Sequence, residues 1–151
     1  MGTVVTVDPA RFSAESLLGG QGALCGAPRT ALDWVSIIRQ GISSTAVDAL
    51  TKALRVTQSE LAQALGIPER TLARRKREGR LNSEESAKLV RVARVIARAE
   101  EVFEDRDAAV DWMKTPNAAL SGVVPLSLMD TDIGAENVLD TLGRIEHGIF
   151  A

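Results

Sequence analysis

Six side chains suited to binding polyanions crowd into eight residues of this chain: Arg70, Thr71, Arg74, Arg75, Lys76 and Arg77. Guanidinium groups donate bidentate hydrogen bonds to phosphate oxygens and to the major-groove edge of guanine. A short helix with such a row fits the major groove of duplex DNA if a second helix holds it there. On that reading Arg70, Thr71, Arg74 and Arg75 lie nearest the groove. Gln58, Lys76, Arg77 and Arg80 are then placed to hold phosphates. A Lys/Arg-rich helix can also be a plain solvated face, so the flanking residues must decide.

Those residues supply the second helix. Thr57 and Glu60 have capping-box spacing ahead of Leu61-Ala62. Gly66 stands where that helix must end in a positive-φ turn, and Pro68 stands at the start of the next, where its missing N–H costs nothing. Ala62 is small enough for the two helices to pack closely, and Leu72 is expected in the core. A helix-turn-helix usually has a second apolar anchor near position 75. Arg75 stands there, so the far end of the helix is expected to bend away or to use Leu81 instead.

Outside this motif the composition points to an all-α protein. Of 151 residues 45% are hydrophobic but only 3% aromatic, with no Tyr, so the core must be built from Leu, Val, Ile and Ala. No alternating β-branched run argues for a sheet. Residues 1–30 are rich in Gly, Ala, Ser and Val and are expected to form a flexible arm, with a short helix near Ser13–Leu18. Leu32, Trp34, Val35 and Ile38 are expected on one side of a helix stopped by Gly41. Ser43 or Ser44 then caps a helix with Val47, Leu50 and Leu54 inward. Asn82 and Glu85 open a long helix to about Phe103, with Lys88, Arg91, Arg94 and Arg98 in one stripe poorly neutralised by its own helix. Residues 31–104 thus read as a helix-turn-helix DNA-binding and dimerisation domain. Residues 105–151 read as a small helical C-terminal domain. In it, Asp105 or Asp107 starts a helix through Trp112, Pro116-Asn117 makes a turn, and Asp130 or Thr131 caps a last helix with Ile133, Val138, Leu142 and Ile145 on one face.

The net charge of −2 conceals opposite blocks. Residues 70–99 hold ten Lys/Arg against three Asp/Glu, whereas residues 100–151 hold three against eleven. Such blocks suggest two different partners, a polyanion and a basic protein surface. The lone Cys25 excludes an intrachain disulfide, which suits a cytoplasmic protein. No signal peptide or membrane-length apolar run is apparent. Neither a glycine-rich phosphate loop nor metal-ligand spacing is present, His147 is the only histidine, and no cofactor or catalysis is expected. Helix N-terminal charge accounts for Asp105, Asp107 and Asp111.

The chain resembles the Xre/ParS/MbcA-type antitoxins of bacterial toxin–antitoxin modules. Arg70-Thr71-Leu72-Ala73-Arg74-Arg75, Gly79-Arg80-Leu81 and Glu85-Ser86 carry the first part of the likeness. Ala109-Val110-Asp111-Trp112-Met113, Pro116-Asn117, Pro125-Leu126, Thr131-Asp132-Ile133-Gly134 and Arg144-Ile145-Glu146-His147-Gly148 carry the more specific second part. The match runs from about residue 32 onward. The resemblance implies that the helix-turn-helix binds the operator of its own operon as a homodimer. It also implies that the C-terminal domain binds and silences a RES-domain toxin, an enzyme that consumes NAD. Trp112, Pro116, Asn117, Arg144, His147, Ile149, Phe150 and Ala151 are the candidate toxin contacts, although Trp112 also suits a core and Pro116-Asn117 a turn. In the sharpest form of this reading the tail plugs the toxin's nucleotide pocket, where the Ala151 carboxylate and nearby Glu146 meet cations that hold phosphates. The competing reading is a stand-alone helix-turn-helix repressor whose C-terminal domain only dimerises or binds a ligand.

Overall fold

The computed structural model describes residues 14–148. Regular structure among them is helical throughout, apart from isolated antiparallel bridges between Ser43 and Arg80 and between Asn117 and Val123. The chain runs through α1 (Ala14–Leu17), α2 (Gln21–Leu24), α3 (Ala31–Gln40), α4 (Thr45–Leu54), α5 (Gln58–Leu65), α6 (Glu69–Glu78) and the long α7 (Ser83–Phe103). After α8 (Arg106–Met113), two 3-10 turns, Ala118–Leu120 and Pro125–Leu128, lead into α9 (Asp132–Glu146).

Local chemistry explains most of these boundaries. Thr57 Oγ1 accepts the Glu60 N–H at 3.1 Å while Glu60 accepts the Thr57 N–H at 3.1 Å, so the expected box opens α5. Asn82 and Glu85 do the same for α7. A third box, Thr30 with Asp33, opens α3 and was not read from the sequence. Gly66 closes α5 at φ 69°, in the left-handed region where only glycine rests without strain. Thr131 caps α9 by accepting the Gly134 N–H at 3.0 Å.

α7 is the spine. Leu89, Val92, Ala93, Val95, Ile96 and Ala99 are buried along it, and α1, α3, α5, α8 and α9 all pack against it. Two sequence expectations need correction here. Residues 14–24 are not an arm: α1 and α2 bury Leu17, Leu18, Ala23 and Leu24, α1 against α4 and α7 and α2 against α4. The glycines that suggested mobility instead make a tight turn, with Gly19 and Gly20 at φ 96° and 79°. Leu32, Val35 and Ile133 do not face inward, and Leu32 and Ile133 remain 76% and 73% exposed. Their helices present Ile37 on α3 and Ala135, Val138 and Leu142 on α9 instead. Ile133 precedes Ala135 by two residues, about 200° around the helix, which puts it on the solvent side.

Candidate functional site

α6 is the expected second helix of the motif. Leu72 is fully buried and sets which way the helix faces. Arg70, Arg74 and Arg77 follow at helical spacing on the opposite, exposed side. Arg74 Nε lies 3.4 Å from Glu78, an exposed pair that DNA phosphates can outcompete. Thr71 stands at the flank of this row, half-buried.

The other expected contacts are placed differently. Arg75 turns inward: its Nε donates to Glu85 Oε1 at 2.8 Å and its Nη1 to Glu78 at 3.0 Å. These hydrogen bonds raise the Arg75 pKa above its ordinary value. The position that usually takes an apolar anchor is thus filled by an arginine whose charge is answered, and Leu81 is buried. Arg75 is therefore removed from the groove-facing set. Lys76 reaches Asp48 at 2.8 Å and Gln58 Oε1 at 3.0 Å, so those two expected phosphate ligands are held to each other at one edge of the motif. Arg80 donates to the Gly41 carbonyl at 2.7 Å. The backbone there is tight, because a Cβ on Gly41 would meet the Leu81 carbonyl oxygen at 2.4 Å.

The basic stripe of α7 is also corrected. Within the helix itself Lys88 lies 3.8 Å from Glu84 and Arg98 3.2 Å from Glu101; from outside it, Arg91 pairs with Asp132, and Arg98 forms two hydrogen bonds to Glu146, at 2.8 and 2.7 Å. The acidic C-terminal block therefore neutralises part of the basic block within the chain. Glu146 is held below the usual carboxylate range chiefly by the hydrogen bonds from Arg98. Both of its carboxylate oxygens are engaged by that bridge. Beside the stripe, Trp34 and Ile38 of α3 and Leu139 of α9 line a groove of about 740 Å³ with Arg94.

In the C-terminal region, Trp112 is half-buried against Phe103, with ring centroids 5.8 Å apart. Asn117 shapes its loop: its Oδ1 accepts the Ala119 N–H at 2.8 Å, and its backbone pairs with Val123. Pro116 is exposed beside it. Arg144 lines a cleft of about 380 Å³ with Leu120, Val123, Leu128 and Asp140. His147 caps the C-terminal end of α9 and is exposed. Ile149, Phe150 and Ala151 lie outside the described residues. Among the described residues no cluster of His, Cys, Asp and Glu could hold a metal ion. No described helix is long and apolar enough to cross a membrane.

The two halves of this geometry correspond to two known domains. Residues 33–94 match the antitoxin Xre-like helix-turn-helix domain, and residues 98–148 match the antitoxin Xre/MbcA/ParS C-terminal toxin-binding domain. Antitoxin Xre of Yersinia enterocolitica is 38% identical over 119 residues, which is 78% of this chain and 80% of that protein. The chain belongs to the Xre/MbcA/ParS antitoxin family. It is an antitoxin of a toxin–antitoxin system. A Prs ADP-ribosylating antitoxin of Sphingobium sp. is 27% identical over 130 residues, 80% of this chain and 82% of that one. The crystal structure of the M. tuberculosis MbcT-MbcA toxin–antitoxin complex contains a chain similar to this antitoxin at TM-score 0.52 and 26% identity. The similarity covers 72% of this antitoxin and 96% of that chain. The two matched domains meet inside α7 (residues 94 and 98), whereas the sequence suggested a boundary after that helix, at 104/105.

Proposed function

We propose that this antitoxin neutralises a RES-domain toxin that consumes NAD, and that it represses its own operon as a homodimer in the cytoplasm. The observation that carries the operator half is the exposed row Arg70, Arg74 and Arg77 on a helix whose opposite side is anchored by Leu72. Three cations on one face of a helix-turn-helix suit the major groove and its flanking phosphates. Dimerisation follows from half-site geometry, and Leu32 and Val35, apolar and exposed on α3, are the surface best suited to it.

The toxin half rests on the C-terminal toxin-binding domain and on chemistry. The Sphingobium relative is named for ADP-ribosylation, a reaction that consumes NAD. Arg144, His147 and residues 149–151 would cover the toxin's nucleotide site from the end of α9. Asn117, Pro116 and the cleft beside Arg144 would form the adjoining surface. Trp112 would support that surface from below, through Phe103.

Co-expression with the neighbouring gene tests the whole reading. Co-purification of a toxin whose NAD consumption stops on binding, together with retention of promoter DNA, is the expected result. A protein that binds promoter DNA but no neighbouring product would be the stand-alone repressor instead.

A further inference from the structure

We propose that Arg75 and Glu85 are a positioning pair that fixes the angle of the recognition helix α6, and that neither touches DNA; the proposal rests on the operator-binding reading above. Glu85 Oε1 accepts from Arg75 Nε at 2.8 Å and from the Asn82 N–H at 2.9 Å. One carboxylate oxygen thus ties the last turn of α6 to the first turn of α7. The Glu85 side chain is only 9% exposed and that of Arg75 21%, so solvent screens the pair weakly. On the other flank of Leu72, Lys76 reaches Asp48 and Gln58 at 2.8 and 3.0 Å. α6 therefore has an ionic strut on each side of its apolar anchor. It cannot roll about Leu72 without leaving a carboxylate unpaired, which is costly where that carboxylate is buried. Reading a base edge requires donors held to a fraction of an ångström, whereas holding phosphates nonspecifically does not. Loss of the strut should therefore cost discrimination and spare general DNA affinity.

The test compares Glu85→Gln and Arg75→Gln with the wild-type full chain. Binding is measured to a duplex from the promoter of its own gene and to a random duplex of equal length, across a salt series. Circular dichroism confirms that each variant is folded under the same conditions. Glu85→Gln keeps an oxygen for the capping box and removes a negative charge near DNA, so plain electrostatics would tighten binding. The positioning role gives the opposite sign for the promoter: the promoter-to-random ratio falls about tenfold in both variants, a loss equivalent to one good base contact. Random-duplex affinity stays level or rises in Glu85→Gln, and the salt slope of Arg75→Gln is unchanged. A ratio that stays constant, with both affinities falling together, reduces the pair to fold stability and overturns the proposal. So does a slope about one unit shallower in Arg75→Gln, because that makes Arg75 a phosphate ligand. A wild-type chain that does not discriminate promoter from random duplex overturns the operator reading itself, and the positioning role with it.

Discussion

Arg98 of α7 and Glu146 in the last turn of α9 form a two-point ion pair, Nη1 and Nη2 lying 2.8 and 2.7 Å from the two carboxylate oxygens. The pair spans 48 residues of sequence and locks the end of the toxin-binding domain to the helix in which the helix-turn-helix domain ends. Because the bridge lowers the Glu146 pKa, its contribution to stability is fully present above the ordinary carboxylate value. It is lost as pH falls through the lowered one. Thermal melts down an acid pH series should show wild type and Glu146→Gln converging at low pH and separating above it, with wild type the more stable. Parallel curves across the whole range would deny the bridge that role.

The proposed DNA face divides by salt dependence. Arg70→Ala, Arg74→Ala and Arg77→Ala should each make the salt slope of promoter binding shallower by about one unit where the lost contact is to phosphate. Where the contact is to a base, the cost should be about 1–3 kcal/mol with relaxed preference at one position. Gel shifts with a permuted promoter duplex distinguish the two. A triple variant with undiminished promoter affinity would place recognition elsewhere.

The first turn of α9 has no room for a side chain at Gly134, where a Cβ would meet the Leu128 carbonyl oxygen at 2.0 Å. Gly134→Ala should push α9 away from the 3-10 turn before it and cost about 1–3 kcal/mol, as overpacking does. Chemical denaturation measures that loss, and toxin affinity should fall with it more than promoter affinity does.

Dimerisation is tested on α3. Leu32→Asp combined with Val35→Asp changes an exposed apolar strip without touching the core. Light scattering should report a monomer where wild type is a dimer, and promoter binding should weaken. A wild-type monomer at concentrations well above the DNA-binding range would remove the dimer from the account.

Sequence was most informative where structure is local. The Thr57–Glu60 and Asn82–Glu85 boxes, the Gly66 turn and the buried Leu72 all depend on neighbours within a few residues. It was least informative where a side chain's partner is far along the chain. The stripe on α7 reads as poorly neutralised because Asp132 and Glu146, which meet Arg91 and Arg98, lie 41 and 48 residues away, although Glu84 and Glu101 of the same helix stand at pairing distance in sequence from Lys88 and Arg98. Arg75 looked like a groove contact because only the folded chain brings Glu85 back beside α6. Residues 14–24 looked mobile because their glycines suit both linkers and tight turns, and the choice is made by burial of Leu17, Leu18 and Leu24. The charge blocks suggested two external partners, yet part of each block serves the other within the chain.

The central claim is that the C-terminal domain silences an NAD-consuming toxin, and the most direct measurement is the toxin's NAD consumption titrated with this antitoxin. The full chain should bring consumption to zero at a fixed stoichiometry. Arg144→Glu, and separately removal of residues 148–151, should require more protein for the same inhibition while leaving promoter binding unchanged. Consumption that continues undiminished at saturating wild-type antitoxin would contradict the account.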